Sequence, residues 1–292
     1  MVTIAVDIGG TKIATGIVLD SDPTQVMFRA ERPTRAQEGG DVVVGEVIAA
    51  IQQLQEVATE HDLVPVRIGI GAPGVVGEGK ILYAGPTMPG WAGTELSSVI
   101  EAATSLPVAL HNDVRVMGLG EAVYGVGEDK EVLFVSIGTG IGGALIRNGK
   151  LVDSPHFSRG EIAYILGPTP AGGCDIIENI GAGPAMSKAY GAPSLHPVMD
   201  DYRNGVPQAV ELFDQSQQCV GRGIAGFVNA FDVDAIVLGG GVGTLPETLR
   251  PFEAGLREGL IGSLKDVACT QATLGTNAPL VGAAYLARTQ EQ

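Results

Sequence analysis

Residues 5–18 read AVDIGGTKIATGIV. The apolar run Thr3 to Val6 ends in an acid, Asp7; Gly9-Gly10-Thr11-Lys12 follows, then a second apolar run, Ile13 to Leu19. That order predicts strand, tight turn, strand. Residues 134–146, FVSIGTGIGGALI, repeat it. Apolar strands flanking glycine are common, but two copies of one pattern also suit an internal duplication.

Working outward, strand-like and helix-like segments alternate, which predicts an α/β fold. Residues 41–60 place Val44, Val47, Ile48, Ile51 and Leu54 at helical spacing. Arg67 to Ile70 is a short strand entering Gly71-Ala72-Pro73-Gly74. A helix over Ser97 to Thr104 precedes the strand Pro107 to His111, which ends at Asn112-Asp113. Val114 to Tyr124 reads as helix. Beyond Glu131, the strand Val132 to Ile137 meets Gly138 to Gly143, then the strand Ala144 to Ile146. Residues 166–173 read as a loop and 207–231 as a long helix. Strand Ala235 to Leu238 runs into Gly239-Gly240-Gly241. The expected division is 1–117 for a small domain and 118–279 for a larger one, with a helix over about 280–292 returning to the first.

The 292 residues are 45% hydrophobic, enough to bury a full core, and carry a formal charge of −15. So acidic a surface opposes nucleic acid and anionic membrane as partners. The three cysteines, Cys174, Cys219 and Cys269, are far apart and show no CxxC pairing, which argues against a disulfide framework or a cysteine-rich zinc site. Neither a signal peptide nor an apolar run of about 18 residues is present. The expectation is a cytoplasmic protein.

An acid closing a buried strand needs a cation or donors. Backbone amides at Gly9 and Gly10 can approach an anion closely, Thr11 offers a hydroxyl, and Lys12 a mobile charge. Two readings are open: a phosphate turn with Asp7 near Mg2+, or a plain hairpin. Gly138-Thr139-Gly140-Ile141-Gly142-Gly143 is formally GxGxxG, but a strand follows where the dinucleotide fingerprint needs a helix. A phosphate-cradling hairpin or an ordinary tight turn both fit. Asp113 is either a helix cap or a carboxylate that takes a proton from a hydroxyl. Glu161, after Gly160, is either a grip on sugar hydroxyls or a solvated acid. Gly240 and Gly241 either admit a base against bare backbone or only turn the chain. Trp91 packs near a sugar or in a core.

Taken in order with the ending Leu274 to Ala284 (LGTNAPLVGAA), these motifs resemble the ROK family of repressors, open reading frames and kinases, from residue 3 to about 287. The resemblance implies an actin-like two-domain ATPase fold with a cleft, and a homodimer. It implies ATP-dependent phosphorylation of a hexose or N-acetylhexosamine, with ATP and Mg2+ as cofactors. Asp113 becomes the catalytic base, and Asn112 and Glu161 the holders of sugar hydroxyls. Gly71 to Gly74 would line the sugar pocket, the turns Gly9 to Lys12 and Gly138 to Gly143 would hold phosphates, Gly138, Thr139 and Gly140 foremost, and Gly240 and Gly241 would lie beside adenosine. Many members carry GExGH followed by CxCGxxGC, which bind structural zinc. Here Gly160-Glu161-Ile162-Ala163-Tyr164 puts Tyr164 at the histidine, which is also a sugar contact, and only Cys174 follows. No zinc is expected. Family repressors carry a helix-turn-helix ahead of these domains, whereas here the first strand starts at residue 3. A sugar-binding sensor without catalysis and a polyphosphate-dependent glucokinase are the alternatives.

Overall fold

The computed structural model describes residues 1–85 and 88–290. In it, residues 5–18 form a hairpin: β1 (Val2–Ile8) runs antiparallel to β2 (Lys12–Leu19), pairing Asp7 with Ala14. The chain divides into two compact units. The first comprises Met1–Gly127, Asp153–Arg159 and Leu274–Gln292, the second Glu128–Val152 and Gly160–Thr273.

In the first unit, β3 (Asp22–Pro33) extends the hairpin, and β4 (Pro65–Ala72) and β7 (Val108–Asn112) join in parallel on the other side of β1. The strand order is β3-β2-β1-β4-β7. A separate small hairpin pairs β5 (Val75–Gly77) with β6 (Lys80–Tyr83). Helix α1 (Gly40–Glu60) buries Val43, Val47, Ile51 and Leu54, which recur at helical spacing, in the same core as Ile4, Ile68 and Ile70 of the strands. Helix α2 (Leu96–Thr104) adds Leu96 and Ile100. Trp91 lies in this core and is 0% exposed.

In the second unit, β8 (Glu131–Ile137), β9 (Ile141–Arg147) and β10 (Lys150–Leu151) form the antiparallel side. Strands β13 (Ala235–Gly239) and β14 (Ala268–Gln271) form the parallel side, in the order β10-β9-β8-β13-β14. The two five-stranded sheets share one topology: two antiparallel neighbours on one side of the first strand, two parallel strands on the other. Helix α7 (Pro207–Phe231) packs Phe213, Val220, Ile224 and Val228 into this unit's core, followed by the single turn α8 (Gly240–Gly243) and by α9 (Leu249–Gly259), which adds Phe252 and Leu256.

Several expectations are corrected. Residues 166–173 are not all loop: β11 (Leu166–Pro168) pairs with β12 (Cys174–Ile176), because Thr169 and Gly173 close a tight turn between them. Helix α3 (Asp113–Glu121) stops short of Tyr124 and passes into a π-helical turn, Ala122–Val126. The first compact unit runs to Gly127, where α3 packs on α10 (Ala278–Thr289) and stays with the first sheet. Residues 291 and 292 of the expected final helix lie outside the described residues. No helix among the described residues is long and apolar enough to cross a membrane.

Candidate active site

In the first unit, three parallel strands bring their C-terminal ends together. Register pairs Asp7 of β1 with Gly71 of β4, and Ala72 of β4 with Asn112 of β7. Such strand ends are where open α/β sheets present their functional groups. Gly71 is buried, and a Cβ there would stand 3.2 Å from the Cα of Asp113 and 3.6 Å from Oδ1 of Asp7. Its bare backbone therefore lets the Asp7 carboxylate and the backbone of Asp113 approach one residue closely.

The cap of α3 is Asn112, not Asp113. Its Oδ1 accepts from the amide of Arg115 at 3.1 Å, and its Nδ2 donates to the Gly74 carbonyl at 3.0 Å and to Oδ1 of Asp113 at 2.9 Å. Asp113 opens the helix, and its Oδ1 also accepts from the Val114 amide at 2.9 Å. Asn112 is thus engaged inside the protein, and both of its N–H groups are used. Gly74, at φ +103°, takes a conformation suited to glycine, and a Cβ there would strike the Tyr83 carbonyl oxygen at 2.4 Å. From the core, the Trp91 indole N–H donates to the Pro73 carbonyl at 3.0 Å. Trp91 is therefore a core residue that holds the Gly71 to Gly74 loop.

The turn at Gly9 to Lys12 closes with Gly9 N–H donating to the Lys12 carbonyl at 2.9 Å. Thr34 pins it, its hydroxyl donating to the Gly9 carbonyl and its amide to the Thr11 carbonyl. Gly10 and Thr11 are exposed, and nothing lies within 4 Å of where a Gly10 Cβ would be. The space over the turn is open for an anion. Lys12 is less mobile than its sequence position suggests: its Nζ donates to both Glu31 oxygens, at 2.9 and 3.0 Å, across the β2–β3 pair.

Asp7 carries the clearest electrostatic signal. Burial, and next the charge of Asp113, push its carboxyl up to about 7, while Lys12 and Arg29 pull the other way. A buried acid beside a second acid binds a proton or a cation. Carboxylate oxygens are hard donors, so Asp7 is of a chemistry that suits Mg2+.

The second unit contributes a cavity of about 790 Å³. Gly138 and Thr139 line it, with Gly183 and Lys188 of α5 (Gly183–Tyr190), His196 of α6 (Leu195–Arg203), and Gly241. The turn between β8 and β9 is tight: Gly138 N–H donates to the Gly140 carbonyl, and Gly183 N–H to the Gly138 carbonyl. Glu178 of α4 (Ile177–Gly181) accepts from the Ile141 amide at 2.9 Å, and a Cβ on Gly140 would come within 2.6 Å of its Oε2. Gly240 sits at φ +78°, where a Cβ would meet the Ile137 carbonyl oxygen at 2.5 Å. The pair turns the chain after β13, and Gly241 lines the cavity. Sequence reasoning missed Gly183, Lys188 and His196. The signal that could have found them is Gly183-Pro184, a bare backbone followed by a residue suited to a helix start.

Also in the second unit, Gly160 at φ +101° accepts from the Gly143 amide at 2.9 Å. Ile162 packs over Gly143, where a Cβ would come within 2.8 Å of its Cδ1. Glu161 follows on the surface, and Tyr164, at the histidine position, is 70% exposed. Among the described residues, no three His, Cys, Asp or Glu side chains are grouped so as to hold a metal ion.

The ROK family model matches residues 3–290. The chain belongs to the ROK family. A glucokinase of Streptomyces coelicolor is 30% identical over 98% of this ROK chain and 97% of its own. An N-acetylmannosamine kinase of Escherichia coli is 28% identical over 99% of each. Among solved structures, a ROK family glucokinase from Streptomyces griseus, in complex with glucose and AMPPNP, is 27% identical. It superposes with a TM-score of 0.81 over 99% of this chain and 100% of its own. The ROK chain accordingly has the actin-like two-domain α/β fold.

Proposed function

We propose that this ROK protein transfers the γ-phosphoryl group of ATP to a hydroxyl of a hexose or N-acetylhexosamine, with Asp113 as general base. The observation that carries the reading is the placing of Asp113. Asn112 caps α3, so the Asp113 carboxylate stands at the helix start, beside Asp7, where three parallel strands end. The named activities of the family relatives and the nucleotide-sized cavity beside Gly138 and Gly241 support the same reading.

In the reaction the sugar oxygen forms a bond to the γ-phosphorus and the bond to the β,γ-bridging oxygen breaks, leaving ADP. The hydroxyl proton passes to the Asp113 carboxylate. Phosphoryl transfer asks the protein mainly for position and charge stabilisation. Open amides at Gly10 and Thr11 are placed to receive phosphate oxygens, and Lys12 must leave Glu31 to help. Mg2+, held by Asp7, would supply positive charge against the phosphates.

An assay of ADP release over a panel of neutral and N-acetylated hexoses tests this, and the account expects turnover of at least one. A sensor without catalysis, motivated by Tyr164 standing at the histidine position, predicts sugar binding with no ADP. Replacing ATP with polyphosphate in the same assay separates the remaining alternative.

A further inference from the structure

Within the second unit's stretch of sequence, one segment, Asp153–Arg159, belongs to the first unit, and the chain re-enters the second at Gly160. Two anchors hold it. Arg115, only 4% exposed, donates through Nε to the Arg159 carbonyl at 2.7 Å and through Nη1 to the Phe157 carbonyl at 3.1 Å. The Phe157 ring lies on the bare backbone of Gly77, where a Cβ would come within 2.7 Å of the ring. The segment is also braced internally: Phe157 N–H donates to the Ser154 carbonyl, and the Arg159 amide to the Ser154 hydroxyl. Phe157 is held at φ +56°, a conformation a bulky residue keeps only where its surroundings impose it.

The chemistry of the clamp is specific. A guanidinium is a rigid planar fork that can meet two carbonyls in fixed geometry, which an ammonium cannot. Its position along the chain links two proposed site residues. Arg115 is two residues beyond Asp113 on α3, and its amide is part of the Asn112 cap. The carbonyl it grips at Arg159 is two residues before Glu161.

We propose that Arg115 is a positioning residue that fastens the Asp153–Arg159 strap to α3 and thereby fixes the point from which the chain runs on to Glu161, the proposed sugar contact. This rests on the kinase reading above. It assigns Arg115 to sugar affinity, with no part in nucleotide binding or the proton transfer.

The test compares wild type with Arg115→Met, Arg115→Lys and Phe157→Ala. For Arg115→Met the account expects sugar KM to rise about tenfold or more, the order expected for lost charge-assisted bonds. The KM for ATP and kcat should stay within about twofold. Arg115→Lys keeps the charge without the fork and should recover only part of the loss. Phe157→Ala removes the other anchor and should raise sugar KM with Arg115 intact. Trypsin gives a readout independent of activity: cleavage after Arg159 should speed up in Arg115→Met and Phe157→Ala. If wild type turns over no sugar, the kinase reading fails, and sugar Kd by calorimetry takes the place of KM. Unchanged sugar affinity with a falling kcat, or a trypsin rate after Arg159 equal to wild type in both variants, would overturn the proposal.

Discussion

Burial holds the Asp7 carboxyl up to about 7, with the charge of Asp113 adding to the effect. In the same unit, burial holds the His111 imidazole down to about 4, with the Arg115 cation adding to it. A raised acid contributes stability that is full below its ordinary value near 4 and is lost as pH rises to about 7. A depressed histidine contributes stability that is full above about 6.5 and is lost as pH falls to about 4. Between those limits the two slopes oppose. Asp7→Asn removes one of them, so the variant should gain stability over wild type as pH rises from 4 to 7, by at least about 1 kcal/mol. Urea unfolding of both proteins at pH 4.5, 6 and 8 reads this difference; a gap between variant and wild type that stays the same from pH 4.5 to 8 would refute the burial account. At this scale Asp7 and Asp113 were legible in sequence as acids ending apolar runs. The cap was not: adjacent Asn and Asp both cap well, and only the hydrogen bonds show that Asn112 takes the role and leaves Asp113 beside it. Sequence presents Lys12 as a mobile charge because it cannot show the Glu31 partner on a neighbouring strand.

Helix α10 seats α3, the helix that Asp113 opens. A Cβ on Gly282 would come within 1.9 Å of the Val116 carbonyl oxygen on α3, and one on Gly120 within 2.9 Å of the Gly282 nitrogen. On the sheet side, a Cβ on Gly69 would come within 1.9 Å of the Ala283 carbonyl oxygen. Backbone touches backbone at each point, so no side chain can yield. Gly282→Ala should therefore cost about 2 kcal/mol or more and lower Tm by several degrees, as overpacking does. Calorimetry of the variant checks it, and a Tm within about a degree of wild type would show that α10 can shift freely. The extent of α7 was legible because its apolar positions hold one period from Phe213 to Val228. The β11–β12 hairpin was not, since Gly, Pro and Thr mask strands of three residues.

The repeated Gly/Thr turns in residues 5–18 and 134–146 announced the largest feature of the molecule, a single sheet topology used twice. What they could not announce is the detour of Asp153–Arg159 into the first unit, because that depends on Arg115 and Gly77 meeting residues far along the chain. The cavity beside Gly138 and Gly241 was half legible: its glycine turns were, and its α5 and α6 wall was not. Gly241 lines that cavity, and a Cβ there meets nothing within 4 Å. Gly241→Val should weaken nucleotide binding while leaving Tm within about a degree of wild type. Calorimetric titration with AMPPNP measures it, and unchanged affinity would remove Gly241 from the nucleotide site.

The measurement that bears most directly on the central claim is ADP release by Asp113→Asn with the sugar that wild type prefers. The account predicts a fall in kcat of about 10²-fold or more, with Tm and sugar affinity close to wild type, because a proton acceptor is lost while the helix cap stays. A variant turning over within a few-fold of wild type would contradict it.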